Sequence, residues 1–593
     1  MDKENTDRSY FFERNLLALS AHNPVLCSRL STAETTLGRY KFLESHSGEV
    51  IPALVDRSGA AHALHSTVDP VKEAARLVST IGVNAEKEGN NRSGEGGRSS
   101  GFVVFLGLGA GFAPEAALNS GGVSHILVID YDINGIAELF CSREYITLLG
   151  DPRFTLLVDP PPELVESTIL ELYRPALCGG MSVLPLRTRT ELDRQNFGAA
   201  SEAIQCAIEK VSSDYSVQAY FGMRWFANII RNLEAAQRQN RSAPPIREAA
   251  ICAAGPSLDD QISLLIEQKL AKQALFVISA DTALPALLHR GLRPDAVVSI
   301  DCQHISYYHF MGTDCADIPL FLDIASPPML PGFSNNPFFF SGGHPLAAYV
   351  SQQWRPLPLL DTSGGNVTYA CLSLAESLGA QRITVYGADF SYPDGRVYAR
   401  GTYIYPFFER RQDRRCPLET QFSSFLYRSP FLPPEDTECG GVPRYETTAL
   451  RQYRKSFERR ISAMEAQVSA AAGRGIPLEI GQGALRQISP PINAHSRIFS
   501  LFAPGKMVMD AARFLEQYRG SIEALPILGG ANRNAVVYLQ NLNTDARRIV
   551  ATLLPQMAAL KHRRPQLSIP DLVEAVKHYS VNEIDRVLNV KNN

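Results

Sequence analysis

The sequence has no Cys-x-x-Cys pair among its ten cysteines, no apolar run of membrane-spanning length and no large excess of either charge. Each absence excludes something. Cysteines scattered through apolar segments, such as Cys252 and Cys371, read as reduced core residues and offer no metal framework. A membrane-spanning helix needs about 20 apolar residues in a row, so none is expected. A formal net charge of -3 supplies no basic field, and no nucleic-acid partner is expected. The polar start, Met1 to Arg8, lacks the apolar core of a signal peptide, and a cytoplasmic protein is expected. What is present is ordinary for a globular chain, with 45% hydrophobic and 20% charged residues. At 593 residues the chain is too long for one core, and roughly two to four domains are expected.

Residues 1–84 read as a small α+β lead-in, with Pro70 in the first turn of a helix. Residues 85–100 form a flexible linker rich in Gly, Ser and charge. An apolar run, Phe102 to Leu106, then enters Gly107-Leu-Gly109-Ala-Gly111, a helix start and a second apolar strand ending at Asp130. This pattern is Rossmann-like and defines a domain over 101–195. Asp130 could bind a ribose diol, or the unit is plain scaffold. Residues 196–245 read as a connector helix and hinge. On that helix Trp225, Asn228 and Asn232 share one face. Buried asparagines need partners, and clamping a loop of the next domain is favoured over reaching its ligand.

A central domain is assigned to 246–490. Its first strand ends in Gly255-Pro256-Ser257, followed by the acidic helix start Leu258-Asp259-Asp260. Free backbone N–H groups and a helix dipole suit such a turn to a phosphate. Later strands end at Asp281-Thr282, at Asp301-Cys302-Gln303 and at Asp389. Alternating strands and helices predict a parallel, doubly wound sheet, whose strand ends should converge on one cleft. Ser363-Gly364-Gly365-Asn366 offers a second anion or sugar cradle. The fold class expected is therefore α/β, with a Rossmann-like N-terminal domain, this doubly wound domain and a helical region over 491–593.

Several of these motifs resemble the motility-associated factor (Maf) family of flagellin glycosyltransferases, whose DUF115 domain is also described as like the 6-hydroxymethylpterin diphosphokinase MptE. They are Gly255-Pro256-Ser257-Leu258, Asp281-Thr282-Ala283-Leu284, Pro294-Asp295 with Ser299-Ile300-Asp301, Gly364-Gly365-Asn366-Val367 and Tyr386-Gly387-Ala388-Asp389. Glu446-Thr447-Thr448 with Tyr453, then a helix and a strand over Ile476 to Ile480, also fit. The resemblance covers roughly residues 100–490. It implies a central fold similar to bacterial sialyltransferases (GT-A-like), a CMP-nonulosonic acid donor and a flagellin or related filament protein as acceptor. Gly365-Asn366-Val367 replaces the family's frequent Gly-Ser-Val, and Gly481-Gln482-Gly483-Ala484 its Gly-Gly-Ala.

Sugar transfer needs a stabilised phosphate leaving group and a base for the acceptor hydroxyl. Gly255, Pro256, Ser257, Asp281, Thr282, Gln303, Ser363, Gly364, Gly365 and Asn366 are the expected donor-binding residues. Asp301, Asp389 and His344 are the expected catalytic residues, with His304 and His309 weighed as further bases. The same carboxylates could instead hold Mg²⁺, as a pyrophosphokinase requires. The basic run Phe407 to Cys416 reads as solvated surface in preference to a lid over an anionic donor. The C-terminal helices read as a bundle capping the core in preference to a partner-binding module. Two other functions compete with the transferase: an ATP-dependent diphosphotransferase acting on a pterin-like alcohol, and a non-catalytic motility accessory protein.

Overall fold

The computed structural model describes residues 2–81, 101–120, 122–432, 443–480, 502–527 and 535–589. The expected linker over 85–100 and Gly481-Gln482-Gly483-Ala484 lie outside them. The chain divides into two compact units: Met1–Gly222 with Leu525–His578, and Met223–Ala524 with Tyr579–Asn593. The C-terminal helices are thus shared between the units. Among the described residues no helix is long and apolar enough to cross a membrane.

The first unit opens with helices and a three-stranded antiparallel sheet of β1 (Tyr40–Glu44), β2 (Val50–Val55) and β3 (Ala61–Ala63). Asp69 caps the helix Pro70–Ser79 by accepting the Lys72 N–H. Then come β4 (Phe102–Leu106), β5 (His125–Asp130), β6 (Phe154–Val158) and β7 (Met181–Pro185), all parallel in the order β6-β5-β4-β7. The apolar runs of β4 and β5 are buried at every residue, as a sheet covered on both faces demands.

The second unit is built on β8 (Glu248–Cys252), β9 (Leu275–Ala280), β10 (Ala296–Ser299), β11 (Leu320–Asp323), β12 (Pro337–Phe340), β13 (Arg382–Tyr386) and β16 (Gln467–Ala470). A small ribbon of β14 (Tyr392–Pro393) and β15 (Arg444–Tyr445) lies between the last two in sequence. The seven long strands form one parallel sheet in the order β12-β11-β10-β9-β8-β13-β16. The chain moves outward from β8 to β12, then returns to the other side of β8. The switch point therefore falls between β8 and β13, where ligands usually enter such sheets.

The strands read over Phe102 to Leu106 and up to Asp130 lie where the sequence puts them, but the final strand does not. The strand expected over Ile476 to Ile480 is β16, Gln467–Ala470, nine residues earlier. Pro477 has no N–H for a ladder. Ile476 instead donates its N–H to the Asp389 carbonyl at 3.1 Å.

The helix Arg194–Arg238 reaches from the first unit into the second. Within the second, Asn228 Nδ2 donates to the carbonyls of Cys302 (3.1 Å) and Ala325 (2.8 Å). Asn232 Nδ2 donates to those of Ile324 (2.8 Å) and Ser326 (2.7 Å). The asparagine face is the expected clamp, and what it clamps are the loops after β10 and β11.

Candidate active site

The strand ends of the second sheet carry two groups of polar side chains. The first sits at the switch point. Gly255 donates its N–H to the Gly387 carbonyl at 2.9 Å, and Leu258 returns its N–H to Gly255 at 3.0 Å. Ser257 N–H donates to Asp389 Oδ2 at 2.8 Å, and the Ser257 hydroxyl donates to Asp389 Oδ1. Gly475 N–H adds a third bond to that carboxylate at 3.1 Å, and Arg474 N–H donates to Ser257 Oγ at 2.6 Å. A Cβ on Gly255 would run into the Asp389 carboxylate, so only glycine fits there.

This geometry corrects two expectations. The Gly255-Pro256-Ser257 turn has no N–H left for a phosphate, because Pro256 has none and the others are paired. Asp389 is buried against that turn and cannot serve as a base facing an acceptor. Burial pushes its carboxyl up, although three hydrogen bonds work the other way. Its role is that of an internal anion closing the turn.

The second group lies at the ends of β9 and β10. Asp281 is fully buried. Its carboxylate accepts the Ser299 hydroxyl at 2.7 Å, the Thr282 N–H at 2.7 Å and the Thr282 hydroxyl at 3.1 Å. His309 Nδ1 lies 3.3 Å from Asp281 Oδ2. Burial opposes ionisation of Asp281, but His309 and the hydrogen bonds outweigh it and hold the carboxyl below its usual range. Asp301 is half-buried and, among the described residues, its carboxylate accepts only from Gln303, through its N–H at 2.8 Å and its side-chain amide at 3.4 Å. Burial and the neighbouring Asp281 charge raise its pKa above the ordinary Asp value. Asp301 thus keeps free acceptor capacity in a setting that favours proton uptake.

Tyrosines cover this group. The Tyr403 ring packs 4.8 Å from the His309 ring, and Tyr398 stands 6.3 Å from Tyr403. Burial raises both hydroxyls, and the Asp281 charge adds to it in each. Tyr453 also bears on Tyr398, and its ring is 3.1 Å from where a Cβ of Gly365 would lie. The helix Val367–Ser377, which packs on β8, β9 and β10 and leads into β13, starts at the same strand-end edge of the sheet. There Gly365 takes a φ of +72°, and Asn366 caps the helix by accepting the Tyr369 N–H at 3.0 Å. Ser363 donates its N–H to Asp361, and the Tyr369 hydroxyl donates to the same carboxylate. The N–H groups of Asn366, Val367 and Thr368 have no acceptor among the described residues. This helix start, not the first glycine turn, is the one open to an anion.

His344, expected to be catalytic, has a structural role. Its Nδ1 accepts the Leu346 N–H at 3.3 Å, capping the helix Pro345–Gln353, and its ring meets Trp225 edge-on at 4.8 Å. Burial lowers its pKa to about 3, so it stays neutral at any ordinary pH. His304 is exposed and stacks on Tyr307 at 5.4 Å. The sequence reading overlooked Asp323, at the end of β11, although the pattern is the same apolar run followed by Asp. Burial raises its pKa to about 6, against hydrogen bonds from the Ala325 and Gly342 N–H groups. It also passed over Tyr398 and Tyr403, whose neighbours are fixed only by folding.

The glycine turn of the first unit is closed as well. Leu108 donates its N–H to Asp130 Oδ2 at 2.7 Å, and Arg189 Nε donates to Asp130 Oδ1 at 3.0 Å. His65 Nε2 accepts the Ala110 N–H at 2.8 Å, and burial lowers its pKa to about 4. Asp130 is therefore committed to the scaffold and not presented to a ribose.

Among the described residues no group of three or more His, Cys, Asp or Glu side chains is placed to hold a metal. Magnesium in phosphoryl sites commonly uses one or two carboxylates plus ligand phosphates. Asp301 fits that lesser demand, whereas Asp281 has its oxygens largely engaged.

Comparison with known proteins bears on both fold and family. Residues 224–395 match the model of the family described as 6-hydroxymethylpterin diphosphokinase MptE-like. An uncharacterized protein of Treponema pallidum (strain Nichols) is 36% identical over 176 residues, which are 30% of this chain and 58% of that protein. A second from the same organism is 32% identical over 142 residues, 23% of this chain and 66% of the relative. The chain thus spans less than two thirds of either relative. The solved Maf glycosyltransferase of Magnetospirillum magneticum AMB-1 aligns with a TM-score of 0.58 at 15% identity. That alignment covers 98% of this chain and 95% of the other. The resemblance to the MptE-like family holds for residues 224–395, and the whole α/β fold is similar to that of the Maf enzyme.

Proposed function

We propose that the chain is a glycosyltransferase that moves a nonulosonic, sialic-acid-like sugar from a CMP-activated donor to Ser or Thr hydroxyls of flagellin or a related surface protein, in support of motility. The observation that carries this reading is Asp301. It is a strand-end carboxylate with free lone pairs and a raised pKa, at the same strand-end edge of the sheet as an open helix start. In this scheme the N–H groups after Gly365 hold the donor phosphate and stabilise it as it leaves. Asp301 takes the proton of the acceptor hydroxyl. The Asp281–His309 pair positions the Asp301 loop and adjusts its charge. Mg²⁺, where used, would bind Asp301 and the donor phosphate and neutralise charge on the leaving group. Titration with a CMP-nonulosonic acid and with ATP tests the nucleotide, and intact-mass analysis of flagellin from cells with and without the protein tests the reaction. Unchanged flagellin mass in an otherwise glycosylating cell sinks the reading.

A second reading, an ATP-dependent diphosphotransferase acting on a pterin-like alcohol, is favoured by the description of the family that matches residues 224–395. It calls for ATP to bind in preference to the CMP-sugar. If neither nucleotide binds, the chain is better read as a non-catalytic accessory protein of motility.

A further inference from the structure

Between β14 and β15 the chain inserts a helical hairpin, Ile404–Glu409 and Leu418–Leu426. Its inner face is apolar and buried: Ile404, Phe408 and Leu426 are each under a tenth exposed, and the Phe408 ring lies 5.0 Å from that of Phe422. Its outer face is different. Arg410, Arg411, Arg414, Arg415 and Arg428 are all exposed, and none pairs with a carboxylate among the described residues. Asp413, the acid inside the run, is turned onto its own backbone, where it accepts the N–H groups of Arg415 (2.7 Å) and Cys416 (2.8 Å). Arg411 lies 3.9 Å above the ring of Phe407, which is itself 46% exposed. Against these five arginines the hairpin carries three acids, Glu409, Asp413 and Glu419, so cations are in local excess in a chain whose net charge is -3.

The hairpin is also attached to the candidate site. It begins beside Tyr403, whose ring packs on His309. At its other end, the charge of Arg428 bears on the Tyr403 hydroxyl. We propose, on the basis of the transferase reading above, that this hairpin docks an acidic polypeptide segment of the acceptor and so delivers its hydroxyl to Asp301. Unpaired guanidinium groups match carboxylates in bidentate geometry. Arginine with an exposed aromatic is also the composition of protein-binding hot spots. A membrane surface fits less well, because the exposed apolar side chains here are too few to make an inserting face.

The test uses the full chain and a variant, Arg410→Glu/Arg411→Glu/Arg414→Glu/Arg415→Glu, whose altered side chains are exposed and whose thermal melt is expected to match the parent. The probe is fluorescein-labelled poly-L-glutamate, followed by anisotropy at about 50 mM and about 300 mM NaCl. The parent is expected to bind, more weakly at the higher salt, and the variant to lose at least about tenfold in affinity. Equal binding by parent and variant overturns the proposal. So does parent-specific binding to phosphatidylserine vesicles without binding to the peptide, or a tenfold loss of CMP affinity in the variant, which would assign the arginines to the donor. If the parent binds the peptide but no CMP compound, the docking surface stands and the sugar-transfer reading fails.

Discussion

The two parallel sheets follow their first strands with glycine turns, and each turn is closed by a carboxylate from a neighbouring strand end. In the first unit Asp130 accepts the Leu108 N–H, and in the second Asp389 accepts the Ser257 N–H. The difference lies in what balances the charge. Asp130 faces the buried guanidinium of Arg189, whose side chain is 4% exposed. Among the described residues, the strand-end acids of the second unit have no buried arginine paired with them. They rest on backbone N–H groups, hydroxyls and, for Asp281, a histidine. A sheet edge balanced by an internal ion pair is finished as scaffold. One held by neutral donors leaves Asp301 with acceptor capacity that no group among the described residues uses up.

The sharpest way to break this comparison is Arg189→Ala. It leaves Asp130 buried and uncompensated, and unfolding by urea should show a loss of about 3–5 kcal/mol. A loss below about 1 kcal/mol would mean that the ion pair does not distinguish the units. In the second unit Asp301→Asn should lower the transfer rate by about 10³-fold, near 4 kcal/mol, with CMP affinity kept. As the base must be ionised, the acid limb of the kcat/KM profile should lie above the ordinary Asp range, and the variant should lose that limb.

Asp323 allows a comparison on stability. Its folded pKa is raised, to about 6, so its contribution is fully present below the unfolded Asp value and is lost as pH rises through about 6. Relative to the parent, Asp323→Asn should gain about 2–3 kcal/mol between pH 4 and pH 7.5, read as the change in the difference between their unfolding free energies. A constant difference across that range argues against the raised pKa. The smallest effect is expected from Asp389→Asn, about 2 kcal/mol of stability, through weaker bonds to Ser257 and Gly475. CMP affinity should not change, because the turn it closes holds no phosphate. Altered affinity would return the phosphate to Gly255-Pro256-Ser257.

The glycine turns, strand-end acids and asparagine face were readable in the sequence because each is a local pattern. Their partners were not. His65 reaches Ala110 across 45 residues, and Ser257 meets Asp389 across 132. An open phosphate turn and one filled from within have the same sequence signature, since both need glycine and both need an anion. Tyr398 and Tyr403 were missed for a similar reason, as their positions over Asp281 depend on the path of an insertion. Asp323 had a readable signal, the apolar run ending in Asp.

The two asparagines of the long helix have a mechanical consequence. Between them Asn228 and Asn232 hold four carbonyls lying 74 to 97 residues further along the chain. They act as a non-covalent splice across loops whose closure is entropically costly. Every amide hydrogen of both side chains is engaged, so Asp offers no donors and Gln is one methylene too long. The loop that begins at Asp301 is therefore tied to the helix through the Cys302 carbonyl as well as to itself through Gln303 and Ser306. Local opening of the site under heat or mild denaturant is expected to begin with the loss of that grip, which hydrogen exchange in the two loops would report.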